Sequence, residues 1–76
     1  MDPKYDIEVQ LTGGDGNAFA IIGAVSGAIR RAYGDGQPFE TRQEATAAAA
    51  EYREQAMESG SYDELLQHAM RTVHVS

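Results

Sequence analysis

The sequence predicts an α+β domain in the order β-α-α-α-β, built in two layers around a two-stranded sheet. Three observations carry this reading. Residues 5–11 alternate apolar and polar without a fault, the period-two signature of a strand with one buried and one wet face. Two capping boxes, Thr41-Arg42-Gln43-Glu44 and Ser61-Tyr62-Asp63-Glu64, each open a helical segment. Alternation resumes only over residues 72–75, where Val73 and Val75 share a face. The two strands are therefore expected to be mates, paired antiparallel. A two-stranded ribbon alone is marginal in water, so three helices are expected to cover one of its faces.

Seventy-six residues make a single domain, 1–76, close to the lower size limit for an independent core. A chain this short buries roughly 60% of the surface its unfolded form exposes. Such a core supplies only about 3–5 kcal/mol unless something staples it. The chain has no cysteine, so neither a disulfide nor a thiolate zinc site is on hand. Association with a second copy thereby becomes a candidate source of stability. Six basic against twelve acidic side chains leave a net charge of −6. That balance disfavours direct nucleic-acid binding and anionic membrane surfaces, and it suits neutral or basic partners. No apolar run approaches ~18 residues. The opening Met1-Asp2-Pro3-Lys4 has neither the charged nor the apolar region of a signal peptide. A cytoplasmic location without membrane contact is the expectation.

Gly13, Gly14 and Gly16 stop the first strand and supply the backbone freedom for a sharp reversal. Asn17 is the expected N-cap of the first helix. Over residues 18–33, Ala18, Ile22, Val25, Ile29 and Ala32 fall on one stripe, with Phe19, Ile21 and Tyr33 on its flanks. The opposite face is anomalous. It carries Ala20, Gly23 and Gly27, with Arg30 and Arg31 beside them, where a solvated helix carries Glu, Lys or Gln. Each mid-helix glycine costs about 1 kcal/mol relative to alanine, so Gly23 and Gly27 call for a reason. Small residues let another helix approach closely. Either the second helix of this chain packs there, or a partner docks with Arg30 and Arg31 at its rim.

Residues 34–40 read as a loop, with Gly34 just past the helix and Pro38 holding Gln37 extended. Phe39 is placed to pack back on the next helix. That helix, over residues 45–59, has alanine at six of its fifteen positions. Its stripe of Ala45, Ala48, Ala49, Tyr52 and Ala56 offers little area, which leaves Tyr52 as the anchor. Gly60 ends it. The third helix, residues 62–71, sets Tyr62, Leu65, Leu66, Ala69 and Met70 on one side. His74, on the polar face of the last strand, is expected to pair with Asp6 or Glu8.

A glycine-rich turn between strand and helix is where free N–H groups and the helix dipole gather anions. Gly13, Gly14, Gly16 and Asn17 are accordingly a weak candidate for binding an anion or nucleotide. The supporting parts are missing: no Lys-Ser/Thr pair follows, two strands cannot build a βαβ unit, and Asp15 repels phosphate. As a calcium loop the same stretch lacks the first ligand and places Ala24 at position 12, which excludes calcium. His68 and His74 are not at ligand spacing, so no metal or other cofactor is expected. Ser26, Ser59, Ser61, Thr12, Thr41, Thr46 and Thr72 stand beside no pattern for an activating base. So small a chain is not expected to wall off a pocket of ~300 Å³ or more, and enzyme activity is not expected.

The pattern Leu11-Thr12-Gly13-Gly14-Asp15-Gly16-Asn17-Ala18-Phe19, with Ile22-Gly23-Ala24-Val25 and Ala28-Ile29-Arg30-Arg31-Ala32, continues at the other end as Ser59-Gly60-Ser61-Tyr62-Asp63-Glu64-Leu65-Leu66, Met70 and Val73-His74-Val75. It resembles a group of small proteins of phages, prophages and other bacterial mobile elements. The likeness covers the two ends, about half the chain, and the alanine-rich middle helix departs from it. The group has no assigned activity, so no residue roles come with the resemblance. It implies a context: an accessory intracellular protein acting on a host or phage partner.

These readings favour a non-enzymatic protein-interaction domain, with Ala20, Gly23, Gly27, Arg30 and Arg31 as the contact face. The partner is another protein or a second copy. An alternative is an acidic mimic of nucleic acid that blocks a basic site through Glu44, Glu51, Glu54, Glu58, Asp63 and Glu64. A third is a small anion- or nucleotide-binding domain using the glycine loop.

Overall fold

A computed structural model describes residues 2–11 and 18–76. The chain runs β1 (Glu8–Val9), α1 (Ala18–Arg30), α2 (Arg42–Met57), α3 (Tyr62–Thr72) and β2 (His74–Val75). The strands pair parallel, with Glu8 opposite His74 and Val9 opposite Val75. This corrects the antiparallel expectation. Alternation reports which face of a strand is wet and says nothing of its direction. Direction follows from the path. Three helices lie between the strands, a crossover of the kind that parallel pairing requires, whereas antiparallel strands follow from a tight hairpin.

The hydrogen-bonded ladder extends beyond these short strands. Tyr5 N–H donates to Thr72 O at 2.9 Å, His74 N–H to Ile7 O at 2.8 Å, and Ser76 N–H to Val9 O at 3.0 Å. Lys4 N–H donates to Arg71 O at 2.8 Å. The N-terminal segment thus satisfies carbonyls of the last turn of α3 that have no partner within a helix. Ile7 and Val9 point into the core while Asp6 and Glu8 are exposed. His74 Nε2 meets Asp6 Oδ1 at 3.1 Å, one of the two cross-strand pairs expected.

One cluster of buried side chains joins Ile7 and Val9 to all three helices and to Val73. At its centre Val25, Ile29 and Val73 are the largest fully buried side chains. Helix α1 packs on β1, α3 packs on β2, and α2 packs on the other two helices and on neither strand. Two helices, and not all three, therefore meet the sheet. The reason lies in α2 itself, whose buried face is alanine plus Tyr52 and is matched to close helix contact. Both capping boxes form. Thr41 Oγ1 and Ser61 Oγ each accept the N–H of the glutamate three residues on, at 3.2 Å. Glu44 and Glu64 in turn accept the N–H of Glu40 and Gly60, at 3.1 and 2.8 Å. Each carboxylate reaches one residue further back than the cap itself. On α3 the buried set is Leu65, Ala69 and Thr72, and Tyr62 and Met70 stand exposed.

Helix α1 ends at Arg30, three residues before the apolar pattern does. Gly34 and Gly36 adopt φ of +111° and +77°, values that favour glycine. They fold the following loop onto itself: Gly34 N–H donates to Phe39 O, and Phe39 N–H to Ala32 O. Phe39 rests against the ring of Tyr5, centroids 5.1 Å apart.

Tyr52 and His68 stack face to face across α2 and α3, with ring centroids 5.1 Å apart and planes 9° from parallel. Among the described residues Tyr52 Oη and His68 Nε2 are buried without a hydrogen-bond partner. Burial pushes the Tyr52 phenol up to about 12. Burial, and then the charges of Arg71 and Lys4, hold His68 below its ordinary value. The fold therefore accommodates the neutral imidazole. Its contribution to stability is complete above the unfolded value of ~6.5 and is lost as pH falls from there through the lower folded value. Urea midpoints should accordingly drop between pH 7.5 and 5.5, and His68→Gln should make that dependence shallower; equal slopes in the two proteins would contradict it. Tyr52→Phe removes a buried hydroxyl that bonds to nothing and should raise stability by about 1 kcal/mol, measured by the same denaturation. Tyr52→Ala should lose about 3–5 kcal/mol.

Candidate functional site

The face that the sequence marks on α1 is open. Helix α2 brings Ala48, Ala49 and Ala56 into the core, but it does not close over Gly23, where an added Cβ would meet nothing within 4 Å. Ala20 is exposed on the same helix. Beside Gly23 an open hollow of about 780 Å³ runs between α1 and α2. Ile22, Gly23 and Ser26 line it from α1, and Ala50 and Met57 from α2. The Ser26 hydroxyl is turned onto Gly23 O at 3.4 Å, which leaves this part of the groove mostly apolar. Phe19 and Met57 border it and are 70% and 65% exposed. Arg30, Arg53, Glu54 and Glu58 add charges of both signs.

Arg30 also belongs to a second hollow, of about 330 Å³, together with Gly27, Arg31, Tyr33 and Arg42. The chain builds this cluster locally. Arg30 and Arg31 sit at the C-terminal end of α1, where the helix dipole favours cations. The folded loop then returns the chain so that Arg42, the first residue of α2, faces them across the same hollow. Gly27 lines this corner, but a Cβ there would sit at an ordinary contact distance of 4.0 Å from Arg31 Nη2, so the hollow does not require glycine at this position. Among the described residues the ion pairs are Lys4–Glu51 at 3.7 Å and His74–Asp6. Among the described residues Arg30, Arg31, Arg42 and Arg53 take part in none. Both hollows exceed the size that the sequence led us to exclude, and both are open clefts between helices with no enclosing wall.

Of the residues marked in advance, Gly23 lines the first hollow, Gly27 and Arg31 the second, and Arg30 both, while Ala20 lines neither. The loop candidate Gly13, Gly14, Gly16 and Asn17 lies outside the described residues. Sequence reasoning missed Tyr33, Arg42, Arg53 and Met57. One signal was present for Arg42: a cation at the first position of a helix opposes the dipole. Among the described residues no group of three or more His, Cys, Asp or Glu side chains could hold a metal ion. No described helix is long and apolar enough to cross a membrane. Comparison with known proteins returns no match to any family model, curated protein or solved structure.

The two glycine environments predict opposite responses. Gly23→Ala adds a methyl group in open space and should stabilise the helix by about 1 kcal/mol, or roughly 4–8 °C in thermal midpoint for a domain of this size. Gly34→Ala forces an L side chain into positive φ and should destabilise by about 1–2 kcal/mol. Thermal denaturation of the two variants checks both signs.

Proposed function

We propose that this chain is a non-enzymatic, cytoplasmic protein-interaction domain that takes a segment of a partner protein into the groove between α1 and α2. The observation that supports it is Gly23: a glycine that weakens its helix, left uncovered among the described residues, beside a groove bordered by exposed Phe19 and Met57. Exposed apolar surface of this kind is characteristic of sites of association. The resemblance of the two ends of the chain to phage and mobile-element proteins supplies the proposed context. The mimic of nucleic acid is less favoured because its carboxylates are dispersed over other tasks. Glu44 and Glu64 bond helix-start amides, Glu51 faces Lys4, and Glu54 and Glu58 share a groove with arginines.

A photoreactive amino acid in place of Met57, activated in cells, tests the reading. It should yield an adduct heavier than the chain; the same label in place of Met70, exposed on α3, should not. Gly23→Leu puts a strong helix former in place of a weak one and fills the groove, so it should abolish the adduct while the thermal midpoint holds or rises. An adduct at twice the chain mass identifies a second copy as the partner, and any other mass a different protein. No adduct, or one that persists in Gly23→Leu, would overturn the proposal.

A further inference from the structure

We infer a separate oxyanion site, formed by Arg30, Arg31 and Arg42 at the junction of α1 and α2, that takes a phosphate monoester. Half of the six cations of a chain with net charge −6 line this one open hollow. Twelve carboxylates are available in the chain, yet among the described residues none lies within ion-pair distance of the three guanidinium groups. Three like charges around one cleft repel, and guanidinium cannot escape by losing its proton. Arg42 adds to the imbalance from the positive end of α2. An anion from outside the chain is what offsets this arrangement.

The corner is also built and held. Gly34 and Gly36 turn the loop, and Gly34 N–H and Phe39 N–H close it onto Phe39 O and Ala32 O. The charge count favours phosphate over carboxylate. A phosphate monoester carries about −1.5 to −2 and three terminal acceptor oxygens at neutral pH, which suits several arginine forks, whereas a carboxylate offers one charge and two oxygens. Tyr33 lines the same hollow and is partly exposed, so its ring or hydroxyl can meet whatever carries the phosphate.

Titration of the full chain with inorganic phosphate, ribose 5-phosphate and AMP at constant ionic strength, followed by amide NMR, tests the site. The amides of Gly27, Tyr33 and Arg42 should shift saturably with each phosphoryl ligand, and succinate should bind more weakly. Arg31→Gln and Arg42→Gln should each weaken binding by about tenfold, the loss expected for a hydrogen bond to a charged group. Arg71→Gln, which removes a cation elsewhere, should change little, and Arg42→Lys should restore only part of the affinity because it lacks the fork. Equal binding of the three ligands assigns the bare phosphoryl group; tighter binding of AMP that is lost in Tyr33→Ala assigns a nucleotide. Absence of saturable shifts in the millimolar range, succinate binding as tightly as phosphate, or an equal loss in Arg71→Gln would overturn the inference. The inference is independent of partner docking, since Gly23→Leu should leave phosphate binding intact.

Discussion

Ala48, Ala49 and Ala56 bring α2 up to the Val25 and Ile29 face of α1, and the rest of the structure depends on that approach. Helices separated by small side chains can pack toward the near end of the usual interaxial range of about 8–10 Å. A helix whose large buried residue is Tyr52 alone thereby still joins the core. It also decides what stays open. With α2 committed to one side of α1, the neighbouring side at Gly23 receives no cover from the other described elements. The groove is thus the complement of the core contact, and both follow from where alanine stands in α2.

The charge distribution separates global from local character. The acidic excess is spread over helix starts, an exposed pair with Lys4, and the strand pair with His74. The basic side chains are concentrated, because four of the six border the two hollows on one side of α1 and α2. A net charge of −6 argues about long-range fields and solubility. It is silent on a corner where three arginines gather around one loop. Such corners form when a connection folds back on itself, and here two positive-φ glycines turn the stretch between Arg30 and Arg42.

Legibility in the sequence tracks the range of the interaction. The caps at Thr41 and Ser61 were readable because each involves residues three apart. The Val25–Ile29 stripe was readable because helical periodicity is local. The pairing of His74 with Asp6 was within reach once the two alternating segments were recognised as mates. Strand direction was not, since it is set by the whole path through three helices. The early end of α1 was also hidden, because Ala32 and Tyr33 continue its apolar pattern while Gly34 and Gly36, further on, turn the chain away. The convergence of Arg42 on Arg30 and Arg31 and the stacking of Tyr52 on His68 join different helices, and no spacing rule reports them. The anomaly at Gly23 and Gly27 could be read as a question, though the answer at Gly23, an open groove, needed the packed helices, and no close contact in the structure explains Gly27.

The parallel ladder ties the start of the chain to its last strand, and this sets the order of events on the ribosome. At roughly 5–20 residues per second, β1 waits from about three to thirteen seconds after its own synthesis before His74 and Val75 are made. During that interval Ile7 and Val9 have no strand to lie against. The nascent chain therefore carries an unpaired apolar segment at Ile7 and Val9 for as long as β2 is missing. Among the described elements the sheet is the last that can close, because it alone needs segments from both sides of the three helices.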